Sequence, residues 1–97
     1  MPTYISLLRY TQKGAENMKD SPARVEQARK LFKSMGAELK EFYLTLGQYD
    51  AVVVSEAPDE ETGTKLALMI GSQGSIRTET FRAFTEEEYR KLISALP

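Results

Sequence analysis

Strand-like and helix-like segments alternate along the chain in an order that few folds accommodate. Runs rich in β-branched and aromatic residues, typical of strands, cover residues 3–10, 39–46, 50–56 and 75–84. A run with helical periodicity follows the first strand, and another follows the third. Strand, helix, strand, strand, helix, strand is the split βαβ pattern. We therefore predict an α+β, ferredoxin-like βαββαβ sandwich with an antiparallel four-stranded sheet and a C-terminal helix.

The ends of the two central helices are predicted from capping residues. Ser21-Pro22 should open the first helix, because Ser offers an oxygen to free N–H groups and Pro is tolerated at the first helical position. Gly36 should end it, and Asp59 should cap a second helix that runs to about residue 70. Apolar residues of the first helix share one side, and we assign its charged residues to the other side: Arg24, Glu26, Arg29, Lys30 and Lys33.

A third helix is predicted near the end of the chain. Thr85-Glu86-Glu87-Glu88 forms a capping box, in which the first and last side chains satisfy each other's backbone N–H groups. The residues after it place an apolar stripe on one side of the helix: Tyr89, Leu92, Ile93 and Leu96.

The first and third strands are apolar on both faces. Ile5 and Leu7 alternate with Tyr4 and Leu8, and residues 51–54 are Ala-Val-Val-Val. A sheet with one face in water shows a cleaner alternation of apolar and polar residues. We therefore expect a second copy of the chain to cover the face without helices, giving a homodimer with sheets face to face.

Length and charge limit the partners that the chain can have. Ninety-seven residues with 41% hydrophobic content suit one domain, which we assign to residues 1–97. The net charge of −1 offers no large positive field for phosphates, so we expect no nucleic-acid partner. No apolar run approaches the roughly 20 residues of a membrane span, and the first residues do not resemble a signal peptide. We expect a cytoplasmic protein without membrane contact.

The chain contains neither cysteine nor histidine. Thiolate nucleophiles, iron–sulfur clusters, serine–histidine relays and histidine-ligated metals are therefore excluded. We expect no metal and no cofactor, and any catalysis would depend on carboxylates, Lys, Tyr or Arg.

A Gly-x-Tyr-Asp element spans residues 47–50, where Gly47-Gln48 predicts a tight turn between the second and third strands. With this element, the chain resembles the GYD domain family along nearly its whole length. Further matching positions are Thr11, Gly14, Lys19-Asp20-Ser21-Pro22, Arg24, Thr45-Leu46, Glu56-Ala57-Pro58-Asp59, Gly71, Arg77-Thr78-Glu79-Thr80 and Arg82-Ala83-Phe84. The resemblance implies a fold similar to the dimeric α+β barrel proteins, which include ligand-sensing domains, isomerases and cofactor-free monooxygenases.

Tyr49 and Asp50 are the first candidate ligand-binding residues. In a structural interpretation, Tyr49 packs on the sheet and Asp50 accepts backbone N–H groups in the turn. In a functional interpretation, Asp50 lies at the entrance of a cavity between helices and sheet, where partial burial would raise its pKa.

The fourth strand supplies three more candidates, Arg77, Thr80 and Arg82. Alternation places Arg77 and Glu79 on one face, and Thr80 and Arg82 on the other. Charge on an edge strand also protects against aggregation, which is the structural alternative. In the functional interpretation, an arginine here binds a carboxylate or phosphate.

Tyr4 is the last candidate, in a stripe that continues through Ser6, Leu8 and Tyr10. Such a stripe fits a core or dimer contact, or the apolar wall of a ligand pocket with a few polar groups. From these residues we predict a domain that binds a small, anionic organic ligand in a sensing or accessory role without turnover. A cofactor-independent isomerase or monooxygenase and a homo-oligomeric assembly module are the alternatives.

Overall fold

A computed structural model describes residues 1–97. Four strands and three α-helices follow one another in the predicted order, and one additional short α-helix follows the first strand. Their bounds are β1 (Thr3–Tyr10), α1 (Gln12–Glu16), α2 (Ser21–Ser34), β2 (Glu38–Leu44), β3 (Ala51–Glu56), α3 (Glu60–Ser72), β4 (Ile76–Ala83) and α4 (Glu86–Ser94). A single 3-10 turn, Met18–Asp20, joins α1 to α2.

The four strands form one antiparallel sheet in the order β2-β3-β1-β4. The α+β, ferredoxin-like prediction is therefore confirmed, and β4 lies at an edge as its charged residues indicated. In the central register Tyr4 lies opposite Ser55 on β3 and Arg82 on β4. Residues opposite one another point to the same face, so this register fixes which side chains the helices cover.

Ser21 does not cap α2 as the sequence indicated. It is the first residue of the helix, and its hydroxyl lies 3.3 Å from that of Tyr10. The reason is that the 3-10 turn runs directly into α2, so Asp20 already has a helical backbone and makes no side-chain cap bond. The predicted stop is confirmed, because Gly36 takes a φ of +74° just after the helix.

The predicted tight turn at Gly47-Gln48 is wrong. The strands β2 and β3 end their pairing at Leu44 and Ala51, so the connection covers residues 45–50. The backbone N–H of Asp50 donates to the carbonyl of Leu8 on β1, at 2.8 Å, and not to the second strand of the hairpin. The loop is closed by the backbone N–H of Thr45, which donates to the carbonyl of Asp50 at 2.9 Å.

The core lies between the sheet and the two long helices, with α2 packed over β2 and α3 over β4. It consists of two small clusters of buried residues. One contains Tyr4, Ala37, Ala57 and Leu66, and the other contains Leu8, Leu39, Ala51 and Val53. Leu66 is the only large side chain that is almost completely buried. The space above β1, between the two helices, is therefore incompletely filled.

The C-terminal helix begins as predicted but makes no core. The Thr85 side chain accepts from the backbone N–H of Glu88, and the Glu88 carboxylate accepts from that of Thr85. The predicted apolar stripe is more than half exposed at each of its four positions, Tyr89, Leu92, Ile93 and Leu96, of which the last lies just after the end of α4. None of the helices combines the length and apolar composition that crossing a membrane requires.

Candidate functional site

A cleft with a volume of about 110 Å³ lies between α2, α3 and the sheet. We call it the helix–sheet cleft. Its floor is the helix-facing side of β1, which carries Tyr4, Ser6, Leu8 and Tyr10. A single buried water occupies about 10–15 Å³ by such a measure, so the cleft has room for more than a few solvent molecules.

Small side chains keep the cleft open. The helix side of the lining includes Ala28 on α2 and Gly63 and Ala67 on α3, whose side chains are too short to fill the space. On the floor, Ser6 and Thr80 join their hydroxyls at 2.8 Å. Thr80 is exposed although it lies on the helix-facing side of the sheet, opposite Ser6.

The hydroxyl of Tyr4 is buried without a hydrogen-bond partner. The residue is 9% exposed and lies on the cleft floor beside Gly63. Burial raises the pKa of the phenol, and the carboxylate of Glu60 raises it further. The hydroxyl therefore keeps its proton at neutral pH and is an unused donor. An unpaired buried donor costs on the order of 1–3 kcal/mol, which a bound acceptor would recover.

At the other end of the floor lies a cation, Arg24. Its guanidinium donates to the backbone carbonyls of Asn17 and Gly14, at 3.0 and 3.4 Å, and no carboxylate lies within 4.0 Å of it. Gly14 is needed for this arrangement, because a Cβ there would be 2.0 Å from the carbonyl oxygen of Ser75. The close approach of α1 to Ser75, the residue before β4, thus holds the acceptors of Arg24 in place.

No carboxylate and no lysine lines the helix–sheet cleft. Its polar groups are hydroxyls, one amide and the guanidinium of Arg24, set among mainly apolar side chains. Three or more potential metal-ligating side chains do not cluster anywhere in the chain. The cleft can exclude water, donate hydrogen bonds and offer one positive charge, but its walls hold no group that accepts a proton readily at neutral pH.

Two of the six residues predicted from the sequence, Tyr4 and Thr80, line the cleft. Arg82 lies on the same face of the sheet, but its side chain is already engaged by other groups of the protein. Its guanidinium donates to the carbonyls of Thr3 and Ala83, lies 3.9 Å from the carboxylate of Glu88 and stacks over Phe84. The side chain therefore fixes the start of α4.

Tyr49, Asp50 and Arg77 do not line the cleft. The hydroxyl of Tyr49 donates to Glu79 at 2.7 Å, which raises the pKa of the tyrosine. The carboxylate of Asp50 accepts from the backbone N–H of Tyr10 at 2.9 Å, as a structural cap between loop and β1. Arg77 lies opposite Arg9 on the face without helices. The structure does not bring these residues together with Tyr4 and Thr80.

Arg24 is the residue that the sequence interpretation assigns to the wrong side of its helix. Its position follows from spacing, because Arg24 lies three residues after Ser21 and four before Ala28, both of which line the cleft. A charged residue at such a spacing within an apolar stripe is the signal that could have identified it. The sequence interpretation considered only the charge of Arg24 and grouped it with the solvent-facing residues, so this assignment is wrong.

Comparison with known proteins adds a family and a fold. The GYD domain model matches residues 4–93. A protein from Thermus thermophilus, the glutamine synthetase and cystathionine beta-lyase binding protein, is 37% identical over 84 residues, which cover 86% of this chain and 88% of that protein.

Two solved structures share the fold. The feast or famine regulatory protein from M. tuberculosis complexed with L-methionine matches 88% of this chain with a TM-score of 0.66 at 14% identity. The chain spans about half of that protein, 51% of its length. FFRP-DM1 matches 87% of this chain and 100% of its own length, with a TM-score of 0.62 at 22% identity.

Proposed function

The chain belongs to the GYD domain family, and we propose that it binds a small organic ligand in the helix–sheet cleft, in a sensing or accessory role without turnover. The observation that carries this proposal is the cleft itself, in which an apolar space of about 110 Å³ is combined with an unpaired, buried tyrosine hydroxyl. Ligand sites are typically apolar cavities with a few placed polar groups.

Tyr4 and Thr80 are the residues that we propose for ligand contact on the floor. The Tyr4 hydroxyl needs an acceptor, and the hydroxyl pair of Ser6 and Thr80 offers both donor and acceptor capacity. A ligand with an oxygen acceptor on an otherwise apolar body would satisfy this set.

The composition of the walls supports binding without turnover. General acid–base catalysis needs a group with a pKa near the working pH within hydrogen-bond reach of the substrate. The lining offers no carboxylate or lysine for this purpose, and its one charged side chain is the guanidinium of Arg24. An isomerase or monooxygenase of the dimeric α+β barrel type would depend on a substrate that ionises by itself.

The comparisons support a sensing or accessory role in two ways. The relative from Thermus thermophilus is named for its binding of two enzymes, and a structure with the same fold contains L-methionine. These are properties of those proteins, and for this chain they motivate the proposal that ligand occupancy of the cleft affects an interaction with another protein.

A second copy of the chain is our proposal for the cover of the face without helices, which we call the open face. Its centre is apolar and partly exposed, and consists of Ile5, Leu7, Val52, Val54 and Phe81. Contiguous exposed apolar patches of this kind mark protein interfaces. A homodimer with sheets face to face would bury the patch on both copies at once.

A second candidate function is an assembly module that binds an enzyme. The exposed apolar stripe of α4 favours it, since a nine-residue helix whose apolar side chains are more than half exposed is marginal in water. Under this candidate, Leu92→Lys should abolish binding to glutamine synthetase in surface plasmon resonance, whereas a cleft variant such as Ala28→Phe should leave it unchanged.

The ligand-binding proposal is tested by NMR titration with 1-octanol, a neutral probe with one hydroxyl. Backbone amides of α2 and α3 should shift, while those of α4 should not. Ala28→Phe fills the cleft and should weaken binding at least tenfold. Ala23→Phe is the matched control, because Ala23 is exposed on the same helix and does not line the cleft. Shifts that avoid α2 and α3, or an equal affinity in both variants, would contradict the proposal.

A further inference from the structure

The geometry points to a carboxylate subsite at Arg24, and we propose that the ligand of the helix–sheet cleft is an amphipathic monocarboxylic acid. This inference rests on the proposed ligand-binding function and adds the chemical class of the ligand and its orientation. The acid would lie at Arg24, and its apolar chain would follow the cleft toward Phe32 and Leu66, where an oxygen acceptor on the chain would reach the unpaired hydroxyl of Tyr4.

Arg24 has donors left for a ligand. A guanidinium has five N–H donors, and two of its bonds go to the carbonyls of Asn17 and Gly14. The remaining donors match the two oxygens of a carboxylate. Since the two backbone bonds fix the side chain in the absence of a ligand, little side-chain entropy would be lost on binding.

The charge around Arg24 favours one negative charge rather than several. No carboxylate lies within 4.0 Å of the guanidinium, and the lining of the cleft contains no other charged group. Arg24 also lies in the first turn of the 14-residue helix α2, where the helix dipole adds a partial positive charge. The guanidinium charge, together with the partial charge of the helix dipole, therefore matches a ligand with one negative charge.

Neighbouring hydroxyls complete the polar end. Tyr10 and Ser21 line the same end of the cleft, and their hydroxyl oxygens are 3.3 Å apart. Within this pair one hydroxyl donates to the other, and the second keeps its hydrogen for a carboxylate oxygen that Arg24 does not satisfy.

The rest of the cleft is apolar along α2. Arg24 is followed on the lining side by Val25, Ala28 and Phe32. At about 1.5 Å per residue, Phe32 lies eight residues after Arg24 and about 12 Å further along the helix axis. A chain of medium length is therefore a better match than a short hydroxy acid or a long lipid.

The matched pair of octanoate and 1-octanol tests the subsite by isothermal titration calorimetry. Arg24→Gln should weaken octanoate at least tenfold and leave 1-octanol within twofold. The control is Arg29→Gln, which removes an arginine of the same helix that also bonds a backbone carbonyl, that of Leu39 at 3.0 Å, and does not line the cleft. It should change neither affinity.

A second measurement uses only the wild-type protein, so it does not depend on whether a variant folds. In the wild-type protein the Nε–H resonance of Arg24 should shift with octanoate and stay in place with 1-octanol. If Arg24→Gln weakens the affinity for both probes equally, or if octanoate does not shift the Nε–H resonance of Arg24, the carboxylate subsite is wrong. Binding of 1-octanol in the cleft would still support the proposed function. If neither probe binds the wild-type protein, both proposals fall.

Discussion

The ring of Tyr4 lies against Gly63, and a Cβ atom at that position would be 3.0 Å from two ring atoms and 3.2 Å from the hydroxyl oxygen. Gly63 weakens α3 by up to about 1 kcal/mol relative to alanine, because glycine loses more backbone freedom in a helix. The glycine is therefore explained by the space that the ring occupies, rather than by a turn.

Replacement of Gly63 by alanine should measure this contact. In a Tyr4→Leu background the alanine should stabilise the protein by about 0.5–1 kcal/mol through helix propensity. With Tyr4 present the substitution should be destabilising, because overpacking costs about 1–3 kcal/mol. Urea denaturation of the four proteins of this double-mutant cycle gives the coupling. Equal effects of the alanine in both backgrounds would show that the Tyr4 ring moves aside without a loss of stability.

Tyr4→Phe should stabilise the free protein by up to about 1 kcal/mol, because it removes a buried hydroxyl that has no partner. The matched control is Tyr10→Phe, whose hydroxyl lies 3.3 Å from that of Ser21. It should be neutral or destabilising by about 0.5–1 kcal/mol. Denaturation midpoints compare the two variants. A loss of stability in Tyr4→Phe would mean that the Tyr4 hydroxyl already has a hydrogen-bond partner in the free protein and is not left for a ligand.

Local signals predicted the architecture well. Strand β1 has the predicted bounds because Thr3 to Tyr10 contains no Gly or Pro and is followed by Thr11, which caps α1 by accepting from the backbone N–H of Gly14. Asp59 also caps its helix as expected, with a bond of 2.7 Å from the backbone N–H of Thr62. These features depend on residues close in sequence, and propensity and capping describe them directly.

Contacts between distant segments could not be predicted in the same way. In the loop at residues 45–50, Asp50 bonds to Leu8 and Tyr10, which lie about 40 residues earlier in the chain. No local rule contains that pairing. The cleft is a similar case, since the Arg24 side chain is held by the carbonyls of Gly14 and Asn17 and turns toward the sheet. The existence of the helix–sheet cleft depends on the distance between α2 and α3, which the periodicity of apolar side chains does not specify.

Asp50→Asn should cost at most about 1 kcal/mol, since an amide oxygen can still accept from the backbone N–H of Tyr10. Asp50→Ala leaves that partly buried N–H unpaired and should cost about 1–3 kcal/mol. Neither variant should change the affinity for 1-octanol, because Asp50 does not line the cleft. Thermal melts and titrations on the same samples check both statements. An affinity lost in Asp50→Asn without a change in stability would favour the functional interpretation of Asp50.

The open face should hold two copies together at micromolar concentration, with an interface of about 1,600 Å² or more. Val54→Lys places a charge opposite Ile5 at the centre of this face and should give a monomer. Leu68→Lys is the control, because Leu68 is 68% exposed on α3 and lies on the other side of the sheet. Light scattering after size-exclusion chromatography measures the mass. A monomeric wild-type protein, or equal masses for both variants, would contradict the homodimer.

The central claim is that the helix–sheet cleft holds a ligand, and a crystal structure of the protein grown with octanoate tests it most directly. The account predicts continuous density between α2 and α3, with the carboxylate within hydrogen-bond distance of Arg24 and the chain running toward Phe32. Density on the open face beside an empty cleft, or helices closed together with no space between Ala28 and Ala67, would contradict it.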